Sequence, residues 1–424
     1  MFPPFRKERE IKFLHCNILG AGAFLVPKRG KTMKLRIGTA DLKDAIAWAR
    51  EALAQTPKDQ GKIKLETEGN ELKVKAVGSY RAASYHIEAR VDEEGSAIVW
   101  ADLASKGVQA LSSEYCSMET EDNAVHISAG GFHLQLTEVE GEVEFPPLLL
   151  SAEQADELPN LPEGDEARQL GIQGEISPQA LVAAVQRSVF AAGKPSDSGP
   201  EFSSVKMEFR ESEIIFTATN RYRLARCAAN WRPFGDYRGS VLVEAGALKS
   251  ISNSFKSLPE SESIRIGFDP EDPAIMSFES AGRVKTVQLT DPSAFPETER
   301  LFRDEYDVNI ILDKDDFLSV FRRVSSVVEG EEAVHVDVSP AKCVVSAKNS
   351  RAQAKETTDA TLKGRAMEMD FSPFPLIEGL ALIGSSHIRM RMNEDGRIVE
   401  FDGQDGQSGQ PDLSYRYLVT PITL

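Results

Sequence analysis

Residues 214–225 read IIFTATNRYRLA, and this stretch sets the plan of the whole chain. Residues 214–219 are a run of β-formers, the pattern of a strand. Asn220-Arg221-Tyr222-Arg223 suits a turn or bulge, and Leu224-Ala225 resumes the extended pattern. The stretch recurs. Residues 63–83, 205–225 and 334–354 align without a gap: Ile63, Val205 and Val334 coincide, then Leu65, Met207 and Val336, then Leu72, Ile214 and Cys343, then Ala76, Ala218 and Ala347. Each copy alternates apolar and polar residues, breaks at a polar turn (Gly69-Asn70, Glu211-Ser212, Pro340-Ala341) and alternates again. That is a hairpin with one buried face. Three gapless matches at nearly even spacing indicate a tandem repeat.

A chain of 424 residues is too long for one core and suits two to four domains. Hydrophobic content of 41% is that of a globular protein, and nothing resembles an apolar membrane span of about 20 residues. The net charge of −17 argues at first against nucleic acid, if charge is evenly spread. The four cysteines (Cys16, Cys116, Cys227, Cys343) are scattered, which argues against a disulfide framework or a zinc site and fits a reducing cytosol. Residues 1–32 differ in character from the rest. Their basic start and apolar run have the outline of a secretory signal, but His15, Cys16 and Asn17 interrupt the run and no clean cleavage site follows. A disordered leader, or an upstream start, is expected, with Met33 opening the folded chain.

From Met33 each third repeats one plan, giving expected domains at 33–165, 166–292 and 293–424. A short strand (34–37, 171–176, 308–312) leads to a helix start signal at Thr39, at Ser177-Pro178 and at Asp313. First helices are expected at 40–54, 178–191 and 314–328, and second helices at 102–113, 245–258 and 373–384. Two further strands close each unit: 117–119 with 126–136, 264–268 with 275–288, and 387–392 with 399–402. The junctions are proline-marked at 158–162 and at Phe295-Pro296, and 403–410 reads as an exposed loop. The fold class is α+β: three tandem two-helix modules, each packed on one antiparallel sheet.

The net acidity hides an asymmetry. Acids such as Glu138, Glu140 and Glu142 lie on strands and loops. The helices, or the loops just after them, carry isolated bases: Lys43, Arg50, Lys106, Arg187, Lys194, Lys249, Lys256, Lys314, Arg322 and Arg323. The last helix has none. A thin positive stripe inside an acidic shell would hold a duplex by its phosphates, without sequence choice and with strong salt dependence. No P-loop, dinucleotide loop or catalytic triad is present, and no cofactor or metal is expected. His126 and His133, seven apart in one expected strand, should face opposite sides.

These residues resemble the bacterial sliding clamp, the beta subunit of DNA polymerase III. Residues 218–225, ATNRYRLA, are similar to the family's A-T-D-G-[HY]-R-L-A, and the tail 417–424, YLVTPITL, to its Y-[VL]-[VI]-[LM]-P-[MV]-R-L. The resemblance implies a head-to-tail homodimer, a closed ring with helices lining the hole and sheets outside. It encircles double-stranded DNA and has no enzymatic activity. Edge strands of the first and third domains would close it, with Val327 and Val328 as interface candidates. It also implies a pocket where the replicative polymerase, clamp loader and repair proteins insert a short peptide. By position the pocket comprises Phe202, Thr219, Tyr222, Arg223, Leu224, Pro296, Arg300, Leu301, Leu418, Val419, Thr420, Pro421 and Ile422. This sequence departs from the family pattern where Asn220-Arg221 replaces Asp-Gly, where Thr420 and Thr423 replace a larger apolar residue and an arginine, and at Ser372-Pro373-Phe374-Pro375. The rival readings are a clamp-like paralogue with altered polymerase contacts, and a hydrolase on an unrelated repeat fold.

Overall fold

The computed structural model describes residues 32–54, 56, 61–78, 81–143, 171–270, 273–330 and 332–422. Residues 1–31 of the leader and the 158–162 junction lie outside the described residues. The first module contains β1 (Lys34–Gly38), α1 (Thr39–Glu51), β2 (Lys62–Glu68), β3 (Glu71–Val77), β4 (Arg81–Glu88), β5 (Arg90–Glu93), β6 (Ser96–Trp100), α2 (Ala101–Gln109), β7 (Tyr115–Glu121), β8 (Ala124–Ala129) and β9 (Phe132–Thr137). The second runs β10 (Ile172–Ile176), α3 (Pro178–Val189), β11 (Ser204–Phe209), β12 (Glu213–Thr219), β13 (Arg223–Asn230), β14 (Arg232–Pro233), β15 (Gly239–Glu244), α4 (Ala245–Ser254), β16 (Ile264–Gly267), β17 (Ile275–Ser280) and β18 (Arg283–Thr290). The third runs β19 (Val308–Asp313), α5 (Lys314–Ser325), β20 (Val334–Ser339), β21 (Ala341–Lys348), β22 (Gln353–Lys363), β23 (Met367–Phe371), α6 (Pro373–Ala381), β24 (His387–Met392), β25 (Val399–Gln404) and β26 (Pro411–Val419).

The three hairpins read from the repeat are present as β2–β3, β11–β12 and β20–β21, all antiparallel. Alternation with one covered face holds for β2, β11, β20 and β21, whereas β12 is buried on both faces from Ile214 to Thr219 and β3 departs from it at 72–74. Helix starts follow two of the three signals. Ser177 accepts from the Ala180 amide at 3.2 Å and Asp313 from the Asp316 amide at 3.0 Å. Thr39 is already helical, and Gly38 before it makes no side-chain cap. All six helices stop two to four residues short of the sequence expectation. At most of these ends the last bonds tighten to i→i−3, as where Leu53 N donates to Arg50 O at 2.9 Å and Ile383 N to Leu380 O at 3.2 Å.

Two expected strands are hairpins. Residues 126–136 turn at Gly130-Gly131, with Gly130 at φ 61°, and 275–288 turn at Ala281-Gly282, with φ of 50° and 70°. His126 therefore pairs with Gln135 and His133 with Ser128, which puts both histidines on the same face rather than opposite ones. Gly403 and Gln404, expected in a loop, are buried in β25.

Each module has two sheets where the sequence suggested one, because neighbouring modules complete each other's. In the first, β5-β1-β7-β8-β9 forms one sheet, while β6-β2-β3-β4 continues through β4–β18 into the second module. There Ala83 faces Lys285. The second module's β15-β11-β12-β13 continues through β13–β26 into the third, where Ala225 faces Tyr417. The helices close the same junctions on the other layer. Trp48 of α1 packs edge-on against Phe255 at 5.2 Å and donates to Val284 O at 3.3 Å. Phe190, just after α3, meets Tyr417 at 5.2 Å. β9 of the first module pairs only with β8, and β22 of the third has β21 on one side and meets β19 only at 361–363, so both leave an open edge among the described residues.

Candidate functional site

The turn between β12 and β13 is held by its own side chains. Asn220 Oδ1 accepts from the amides of Tyr222 at 3.1 Å and Arg223 at 3.0 Å, while Thr219 donates its hydroxyl to Arg223 O at 2.7 Å and accepts from Arg221 N at 3.1 Å. Arg221 takes φ 81°, a conformation that suits glycine. Its guanidinium lies 4.2 Å from the centre of the Phe202 ring. Tyr222 stands out of the turn, 72% exposed.

Beside this turn runs β26. Arg223 faces Val419 and Leu224 faces Leu418 across the sheet. Beyond the strand, Thr420 N donates to Tyr222 O at 2.9 Å and Ile422 N to Asp370 O at 2.7 Å. The structure thus brings Thr219, Tyr222, Arg223, Leu224, Leu418, Val419 and Thr420 together, with Phe202 joined through Arg221. Pro421 and Ile422 continue along the third module. Leu224, Leu418 and Val419 are buried, so they can form a floor but not walls. Pro296, Arg300 and Leu301 lie on the connection to the third module. Glu299 anchors that connection to Arg226 at 2.7 Å, and Phe302 beneath it lies between Arg226 and Arg416. Phe374 is absent from the residues matched to the family motifs, yet at 77% it is the most exposed large apolar side chain among the described residues. It sits in the first turn of α6, where Pro375 O accepts from Tyr417 Oη at 2.9 Å and Glu378 pairs with Arg223 at 3.6 Å. A cavity of about 450 Å³ at this junction lies on the helix side, between Phe190, Lys249, Glu378 and Leu382, away from Tyr222 and Thr420.

The ten helix-associated bases divide into three groups. Lys106, Lys194, Lys249, Lys256 and Arg322 are exposed, with no ion-pair partner among the described residues. Arg50 is exposed but bonded to Asp102 and Ser105, and Arg323 is gripped by both oxygens of Glu356 on β22 at 2.9 and 2.6 Å. Lys43, Arg187 and Lys314 are half-buried. Each donates to a carbonyl at or just past a helix C-terminus: Leu111, Leu382 and Ile383, at 2.7, 3.2 and 3.1 Å. Their charges complement the negative helix ends and are not free for phosphate. The expected stripe is thinner for this reason, and Asp41, Asp44, Asp315 and Asp316 share the exposed faces of α1 and α5.

Val327 and Val328 lie in the tightened turn after α5, half-buried against the core, with Val327 O accepting from Asn349 at 2.7 Å. Their counterparts at the ends of α1 and α3, Ala52 and Ala191, are buried. Among the described residues no three His, Cys, Asp or Glu side chains are grouped to hold a metal, and no helix is long and apolar enough to cross a membrane.

A family model, DNA polymerase III beta subunit, C-terminal domain, matches residues 299–407. The beta sliding clamp of Streptomyces coelicolor is 26% identical, across 92% of this chain and all of that one. The beta sliding clamp of Bacillus subtilis superposes with a TM-score of 0.78 at 20% identity, covering 92% of this chain and 99% of its own. Residues 299–407 thus match the C-terminal domain of the DNA polymerase III beta subunit, and over most of its length the chain is similar to beta sliding clamps. The beta sliding clamp homologue GriR of Streptomyces muensis is 22% identical over 92% of this chain and 99% of that protein. The Pseudomonas aeruginosa clamp bound to griselimycin has a TM-score of 0.76 at 17% identity, over 92% of this chain and all of that one. The fold shared with these clamps is α+β, with helices on one layer and sheets on the other.

Proposed function

We propose that the chain is a DNA sliding clamp, a non-enzymatic cytoplasmic processivity factor. Its three domains, 33–165, 166–292 and 293–424, form half of a ring. Two copies close head to tail around duplex DNA, and the groove beside β13 and β26 tethers the replicative polymerase and other partners by short peptides. The open edges β9 and β22 are the observation that carries this reading.

The internal junctions supply the register. Lys285, Tyr417 and Leu134 hold the same place: each lies opposite the middle strand of its sheet, at Phe278, Phe401 and Ile127. Lys285 meets Ala83 and Tyr417 meets Ala225. The third member of that alanine series is Ala354, so Leu134 of one copy should face Ala354 of the other. The same register brings Phe132, 39% exposed, to Glu356, near Val327 and Val328. Both edges thus present half-buried apolar side chains that a second copy would cover.

Lys106, Lys194, Lys249, Lys256 and Arg322 are the bases left to meet phosphate. So few charges suit a ring that is held by topology more than by affinity. The test is retention of the chain, loaded by an ATP-driven clamp loader, on a nicked circular plasmid. Linearising the plasmid should release it, and the free particle should have twice the chain's mass. A monomeric particle, or equal retention on linear DNA, would sink the reading. A variant lacking 421–424 spares the buried strand β26 and should still close the ring while losing partner peptides.

A further inference from the structure

We infer that Arg221 selects which peptides the groove accepts, favouring one with a carboxylate beside its apolar anchors; this rests on the reading of the groove proposed above. Arg221 holds a left-handed backbone conformation at φ 81° where glycine would fit without strain. The turn around it is fixed by Thr219 and Asn220, so the side chain leaves the backbone in one direction, toward Phe202. Its guanidinium covers the Phe202 ring at 4.2 Å. An incoming apolar side chain that needs that wall must displace it.

The displaced cation would be short of a partner. Three arginines on or beside the same sheet are matched: Arg223 with Glu378, Arg226 with Glu299, and Arg210 with Glu208 and Glu213. Arg221 is exposed and has no carboxylate among the described residues. In a chain with a net charge of −17, an unmatched arginine stacked on an apolar wall is a site for an acid supplied from outside. A cation lifted from a ring loses the ring's attraction, and only a peptide carrying its own carboxylate replaces it.

The probes are two labelled tetrapeptides, Leu-Asp-Leu-Phe and Leu-Asn-Leu-Phe, which share apolar side chains for the floor and differ in one charge. Titrated into the full chain at low salt, the Asp peptide should bind roughly fivefold more tightly, the scale of a partly exposed ion pair. The preference should fade at high salt. In Arg221→Gly it should vanish while the Asn peptide binds at least as well, because Phe202 is uncovered; Arg221→Lys should keep part of it. Equal affinities in the parent chain, or a preference surviving in Arg221→Gly, would overturn the role of Arg221 and leave the groove standing. Failure of both peptides to bind the parent chain would overturn the groove with it.

Discussion

Arg187 shows why a residue's neighbours decide its job. From sequence it is one of several helix-borne cations, yet here it donates to Leu382 O and stacks over Tyr415 at the junction of the second and third modules. Arg187→Met should therefore lower stability by about 1–2 kcal/mol in urea unfolding, while the salt dependence of DNA retention stays as it was. His86, on β4 beside the first junction, is the matching case for pH. Burial, and then Lys73 and Lys75, push its imidazole down to about 4. It is neutral in the native state near pH 7, so its approach to Glu71 at 3.7 Å is not an ion pair there. The unfolded chain takes up this proton first, from its ordinary value of about 6.5. The stability contributed by the neutral ring is therefore complete above that pH and is lost as pH falls toward 4. Thermal unfolding across pH 4–7 should show this slope, and His86→Gln should flatten it. Neither role has a signature in the one-dimensional pattern, because each depends on what folding packs beside the side chain: Leu382 and Tyr415 for Arg187, the facing strand β3 for His86.

At the scale of elements, the repeated hairpins were legible because alternation over seven or eight residues seldom arises except in a half-buried strand. The β8–β9 and β17–β18 hairpins are missed when each stretch is read as one strand through its turn, although Gly130-Gly131 is a two-residue hairpin signal; Ala281-Gly282 is a weaker one, since alanine at φ 50° is not expected from sequence. That miss had a consequence, since β9 as a separate strand leaves an open edge. A chain carrying both Leu134→Cys and Ala354→Cys should, on oxidation, form covalently closed dimers that run at twice the chain's mass on a denaturing gel. With Cys16 replaced by Ser throughout, neither single variant should do so, since Cys116, Cys227 and Cys343 are buried. Phe132→Asp should shift the native particle toward monomer in sedimentation without unfolding it, because the side chain is already in water in the single copy.

For the molecule as a whole, net charge alone does not decide between partners. The five exposed unpaired bases are outnumbered by surface acids, and a repulsive exterior is compatible with a weakly attractive inner face. Reversing Lys106, Lys249 and Arg322 to Glu should weaken retention on circular DNA and flatten its salt dependence by about one unit of slope for each phosphate no longer neutralised. Dimer mass should not change. Applied to Lys314, the same reversal should instead disturb the end of α6, where its ammonium meets Ile383 O.

By itself the sequence determined the threefold repeat, the hairpin registers, the helix order and the resemblance to sliding clamps, all of which are written in local periodicity and in two short motifs. Only the tertiary structure decided which strands are left at an edge, which cations are already spent on helix ends, and that Arg221 covers Phe202. Each of those depends on a partner brought close by folding, and no local pattern of residues records what will lie across the sheet or over the ring.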